Sequence, residues 1–216
     1  VAKLVLALSA WLRVALAARQ TDKLLGLARD IDAWTFACDV AQPAAVEACF
    51  ADAAAALGEP DIVVFNPSAR ARGPIAELDP TEVQRALLIS CYGGFLVGQQ
   101  AARRMLARGH GSIQFTGASA RVKGYPQSAP FAMGKFGLRG LAQSMARELA
   151  PKNIHVAHFV IDGGIRQGPS DARAGERGTD GMLDPDAIAE TYWQVHVQHR
   201  SAWSWEIELR PWVEKF

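Results

Sequence analysis

Short apolar, β-branched runs alternate along this chain with alanine-rich amphipathic stretches, and that alternation restricts its fold more than any other feature. Apolar runs with little polar alternation need cover on both faces, and helices between them supply it. The pattern therefore predicts an α/β fold, a doubly wound parallel sheet with helices on both sides. The strand candidates are RVALAA (13–18), WTFACDV (34–40), DIVVFN (61–66), SIQFTG (112–117), HVAHFVI (155–161) and, last, IELRP (207–211). Helical periodicity covers roughly 22–30, 43–57, 80–108, 128–150 and 185–197. Asp79-Pro80 and Asp184-Pro185 each set a capping carboxylate before a proline at the first helical position. Residues 166–181, rich in glycine and charge, read as a mobile loop over the ligand crevice at the strand ends. With no linker composition along 216 residues, one domain over 1–216 is expected.

Composition narrows the partners. The 23 basic and 22 acidic side chains are interspersed and nearly cancel, so no basic field exists to hold a nucleic-acid backbone. Cys38, Cys49 and Cys91 are odd in number and lack a C-x-x-C pair, which argues against a disulfide framework or thiolate metal site and for a reducing cytoplasm. Lys3 and Arg13 interrupt the apolar opening of the chain, so it reads as a helix to about Ala10, a turn and a strand rather than a membrane span. His155 and His158 fall on opposite faces of a strand. His196 and His199 could share a helix face without a third ligand, so no metal is expected.

The order of motifs resembles the short-chain dehydrogenase/reductase family from Arg13 to Phe216. ACDV (37–40) is similar to the segment whose aspartate binds the adenine amine, here Asp39 with the Val40 backbone beside it. FNPSA (65–69) stands for the family's Asn-Ala-Gly turn at the adenine ribose, keeping Asn66. LAQSMAREL and NIHVAHFVIDGGI resemble the long helix and the strand whose following turn holds the nicotinamide carboxamide, here Gly163 and Ile165. The family's first strand and its glycine-rich phosphate loop have no counterpart before Val1, and the resemblance places them upstream of this sequence.

The family's catalytic set is Ser, Tyr, Lys and Asn. Counting from Lys135, which the resemblance assigns to the nicotinamide ribose, the tyrosine position is Phe131, the serine position Ala118 and the asparagine position Ser90. A phenyl ring has no proton to exchange and a methyl group cannot polarise a carbonyl. Ser119, Thr116, Tyr92 and Tyr125 carry the nearest hydroxyls by sequence, either as substitutes or as groups that satisfy local backbone and solvent. At the tip of the second family strand, Ala17 and Ala18 leave room and Arg19 follows with no carboxylate. That favours NADP(H) over NAD(H), unless Arg19 is a solvated loop residue.

The resemblance thus implies an NADP(H)-dependent oxidoreductase acting on a carbonyl or alcohol with a non-standard proton donor. The alternative is a non-catalytic NADP(H) sensor or a structural partner subunit. The apolar floor at Phe131 and Ala118 suits a small apolar substrate or one bringing its own acid. The resemblance also implies a homodimer or homotetramer built on the helices near 80–108 and 128–150. The tail aromatics Trp203, Trp205, Trp212 and Phe216 either cover a sheet edge or extend that interface.

Overall fold

The computed structural model describes residues 2–168 and 170–214, apart from the side chain of Arg121. Its strands form two parallel sheets. β1 (Ala15–Ala18) pairs with β2 (Trp34–Ala37), while β3 (Ile62–Phe65), β4 (Gly111–Ala118), β5 (Ile154–Ile161) and β6 (Glu206–Leu209) pair in that order. A Rossmann sheet runs 3-2-1-4-5-6. The ladders seen are its strands 3-2 and those from 4 onward, and the division lies between β1 and β3, where strand 1 of that order belongs.

Side chains alternate across the strands and sort into two layers. Ile113 and Phe115 of β4, Ile154 and Val156 of β5 and Phe65 of β3 are buried under α3 (Pro43–Leu57), α5 (Gly93–Arg108) and α6 (Ala129–Leu149), which contribute Val46, Met105 and Leu138. On the other face, Ala157 and Phe159 meet Tyr192 and Val195 of α8 (Pro185–His196), with Leu4 of α1 (Ala2–Ser9) against them. α2 (Leu25–Asp30) closes the far edge, where Ala28 packs on Leu16 and Val5. Asp184 caps α8 through the Asp186 and Ala187 N–H groups, and Asp79 caps α4 (Pro80–Leu87) through that of Thr81.

Four sequence expectations change. The helix expected over 80–108 is broken by a turn of π-helix, Leu88–Tyr92, with Ser90 fully buried inside it. The strand expected to reach Val40 ends at Ala37, because the Asp39 carboxylate accepts from Ala41 N at 3.0 Å and turns the chain. The loop expected over 166–181 contains α7 (Ala172–Arg177), capped by Asp171 and tied down by the Arg177–Glu214 ion pair. Trp203 and Trp205 serve the subunit's own interior: Trp203 stacks on His155 at 4.6 Å and Trp205 packs on the core. Trp212 is 79% exposed, and Phe216 lies outside the described residues. No helix among the described residues is long and apolar enough to cross a membrane.

Candidate functional site

The C-terminal ends of β1, β2 and β3 converge on one cavity of about 340 Å³. Ala17, Ala18 and Arg19 form one wall, Cys38, Asp39 and Val40 the next, and Pro67 to Arg70 the third, with Arg85 on α4 opposite. Three of the sequence candidates, Arg19, Asp39 and Val40, are brought together here. Asn66 directly precedes the Pro67 wall without lining the cavity, and Lys135, Gly163 and Ile165 lie outside it. The close fit of the helix behind this site needs Gly93: a Cβ there would come within 2.9 Å of the Val40 carbonyl oxygen.

Arg70 joins this cavity to Phe131 and Lys135. Its guanidinium carbon sits 4.1 Å from the centroid of the Phe131 ring, and the ammonium of Lys135 lies 5.9 Å from the same centroid. Phe131 and Lys135 are four apart on α6, one turn along the same face. Lys135 is 2% exposed and donates to the Thr116 carbonyl at 2.8 Å. Burial, reinforced by the charge of Arg70, brings its pKa down to about 8. Ala118 ends β4 beside these groups in register with Ile161. Ser90, at the asparagine position, faces the turn before Arg70: its hydroxyl accepts from Ala69 N at 2.9 Å and donates to Ala69 O at 3.4 Å. Room for a longer side chain is limited there, because a Cβ on Gly134 would lie 2.9 Å from that of Ser90.

At the end of β5, Asp162 stands where the family has proline, and Arg210 pairs with it at 2.7 Å. Gly163 has φ +156°, and a Cβ there would meet Pro211 at 2.6 Å, so glycine is required. Ile165 forms a parallel bridge with Leu183, and its carbonyl accepts from Arg173 of α7 at 3.2 Å.

A family model described as enoyl-(acyl carrier protein) reductase matches residues 7–189. The chain belongs to the short-chain dehydrogenase/reductase family. A short-chain dehydrogenase from Rhodopseudomonas palustris shares 35% identity and a TM-score of 0.83, covering 98% of this chain and 92% of that one. A metagenomic short-chain oxidoreductase in complex with NADP shares 26% identity and a TM-score of 0.83, covering 97% and 91%. The 2-dehydro-3-deoxy-L-rhamnonate dehydrogenase (NAD(+)) of a Sphingomonas species is 33% identical over 62% of this chain and 54% of its own length. The D-threitol dehydrogenase of Mycolicibacterium smegmatis is 32% identical over 56% and 46%. The chain spans about half the length of these curated relatives.

Against the short-chain dehydrogenase/reductase pattern, the hydroxyl candidates separate. Tyr92 and Tyr125 are 40% and 48% exposed, and the Tyr92 ring stacks on Phe95. The buried phenol belongs to Tyr192, which shares a 2.8 Å hydrogen bond with the Thr116 hydroxyl on the α8 face of the sheet. Burial raises its pKa above the ordinary phenol value, so it is held neutral. Sequence reasoning passed over Arg70. Its signal was two arginines, Arg70 and Arg72, directly after a turn where close backbone approach was expected.

Proposed function

We propose that this chain binds NADP(H) as one dinucleotide-binding domain over 1–216 and reduces or oxidises a small carbonyl or alcohol substrate. The supporting observation is Arg70, which lines the nucleotide-sized cavity and also covers the Phe131 ring beside Lys135. The walls suit a phosphorylated adenosine. Ala17 and Ala18 leave space for the ribose, Arg19 offers a planar donor fork to a 2'-phosphate, and Asp39 supplies a carboxylate oxygen for the adenine amine beside Val40. Asn66, Gly163 and Ile165 are assigned to the ribose turn and the carboxamide, and Lys135 to the nicotinamide ribose. The bound coenzyme supplies or accepts the hydride.

Phe131 and Ala118 leave proton transfer to another group, and the proposed donor is Lys135. With the coenzyme supplying hydride to the carbonyl carbon, Lys135 would give an Nζ–H proton to the carbonyl oxygen, whose π pair would form the O–H bond, leaving a neutral amine. A pKa of about 8 fits that task, since an acid works best near the operating pH. Exposed Tyr92, Phe95, Leu106, Met133 and Phe136 on the helices around α5 and α6 support assembly of the chain as a homodimer or homotetramer.

The test is a steady-state carbonyl screen with NADPH over pH 6 to 10, on the parent and Lys135→Ala. Reduction needs the ammonium form, so turnover is expected to fall as pH rises through about 8, and Lys135→Ala to abolish it. A parent that never turns over, beside an active Phe131→Tyr variant, would replace this reading with a non-catalytic NADP(H) sensor.

A further inference from the structure

Among the described residues, eight arginines are neutralised inside the subunit, and Arg70 beside Phe131 is not one of them. Arg85, Arg104, Arg108, Arg139, Arg166, Arg173, Arg177 and Arg210 each pair with a carboxylate. Arg70, Arg72 and Lys135 form no ion pair among the described residues. Lys135 contacts the Thr116 carbonyl and the Phe131 ring. These three cations are close enough to act on one another. Arg72 adds to burial in lowering the pKa of Arg70, and Arg70 does the same to Lys135. Repulsion of the buried Lys135 ammonium by its cationic neighbour costs free energy, and a bound anion relieves it.

The arrangement also selects the kind of anion. The Arg70 guanidinium carbon lies 4.1 Å from the Phe131 ring centroid, so the ring covers one side of the group while the exposed side chain keeps N–H donors open to a ligand. A planar, edge-on donor fork matches a carboxylate in two parallel hydrogen bonds. The arm that carries Arg70 is fixed, since the buried Ser90 hydroxyl holds both backbone groups of the preceding residue, Ala69.

We propose that Arg70, stacked on Phe131 across from Lys135, binds a carboxylate carried by the substrate, so that the substrate class is small oxo acids or hydroxy acids. This rests on the reading of the site as a carbonyl-reducing centre, and it replaces an apolar substrate with one that has a charged end. Ser90 then acts as a positioning residue for Arg70.

The test measures binding by calorimetry, without turnover. The probes are 2-oxobutanoate, 4-oxopentanoate and phenylpyruvate, each beside its methyl ester, with and without NADPH. At least one acid is expected to bind the parent about tenfold or more tighter than its ester, as a charge-assisted bidentate contact requires. Arg70→Ala should bring acid and ester to within about twofold, and Arg70→Lys should retain part of the preference. Arg70 is exposed, so both variants should fold, and their unfolding midpoints are recorded beside the parent's. The proposal is overturned if no acid is preferred over its ester, or if the preference survives in Arg70→Ala. It is equally overturned if Arg70→Ala weakens NADPH while acids and esters bind alike, which assigns the guanidinium to coenzyme phosphates. Failure to bind NADPH at all would instead strike the functional reading, because the acid–ester comparison without coenzyme still decides the role of Arg70.

Discussion

The cavity at the ends of β1 to β3 and the cluster around Phe131 adjoin through Arg70, yet they differ in what lines them. The cavity gathers residues of the types a phosphorylated adenosine needs: small Ala17 and Ala18, basic Arg19, acidic Asp39. The second cluster holds the Phe131 ring with two cations around it, Arg70 and Lys135, and the small side chains Ala118 and Ser90. The two come from different elements, the cavity walls from the ends of β1 to β3 and the Phe131 cluster from β4 and α6, so a substitution in one need not disturb the other.

The strongest way to break this contrast is to restore the chemistry. Phe131→Tyr with Ala118→Ser is expected to raise carbonyl turnover with NADPH by about tenfold or more, because the phenol and hydroxyl would add to proton transfer from Lys135. An unchanged rate in a steady-state assay would mean that the centre is not where carbonyls react.

Lys135 sharpens the contrast through stability. Its pKa is lowered in the folded chain relative to the unfolded one, so burying the ammonium destabilises the fold fully below about pH 8. That penalty disappears as pH rises toward the unfolded value of about 10.5. Denaturant unfolding should therefore show the parent gaining about 2 kcal/mol over Lys135→Met between pH 7 and pH 10. Equal pH dependence in the two proteins would show that the ammonium is not buried.

The smallest effect concerns Ser90. Ser90→Ala removes the acceptor for Ala69 N, and a lost buried hydrogen bond is expected to cost about 1 kcal/mol, or about 2–4 °C in the unfolding midpoint. An unshifted midpoint by calorimetry would mean that the turn before Arg70 is held by other contacts.

Much of this was legible in the sequence where the forces are local or periodic. The cores of all six strands lie within their apolar runs, since buried strands expose their composition directly, and Asp79 and Asp184 cap the helices they precede. The break at Leu88–Tyr92 was not legible, for nothing in LISCY lowers helix propensity enough to mark it. α7 was hidden by its glycine and charge, and it is held by Asp171 and by the distant Glu214. Arg70 stacks on a residue 61 positions away, a contact that periodicity does not encode.

The most direct measurement of the central claim is a calorimetric titration of the chain with NADPH and with NADH, repeated on Arg19→Ala. The account predicts that NADPH binds about tenfold tighter than NADH and that Arg19→Ala removes the difference. No affinity for either coenzyme, or an NADPH preference that survives without Arg19, would contradict it.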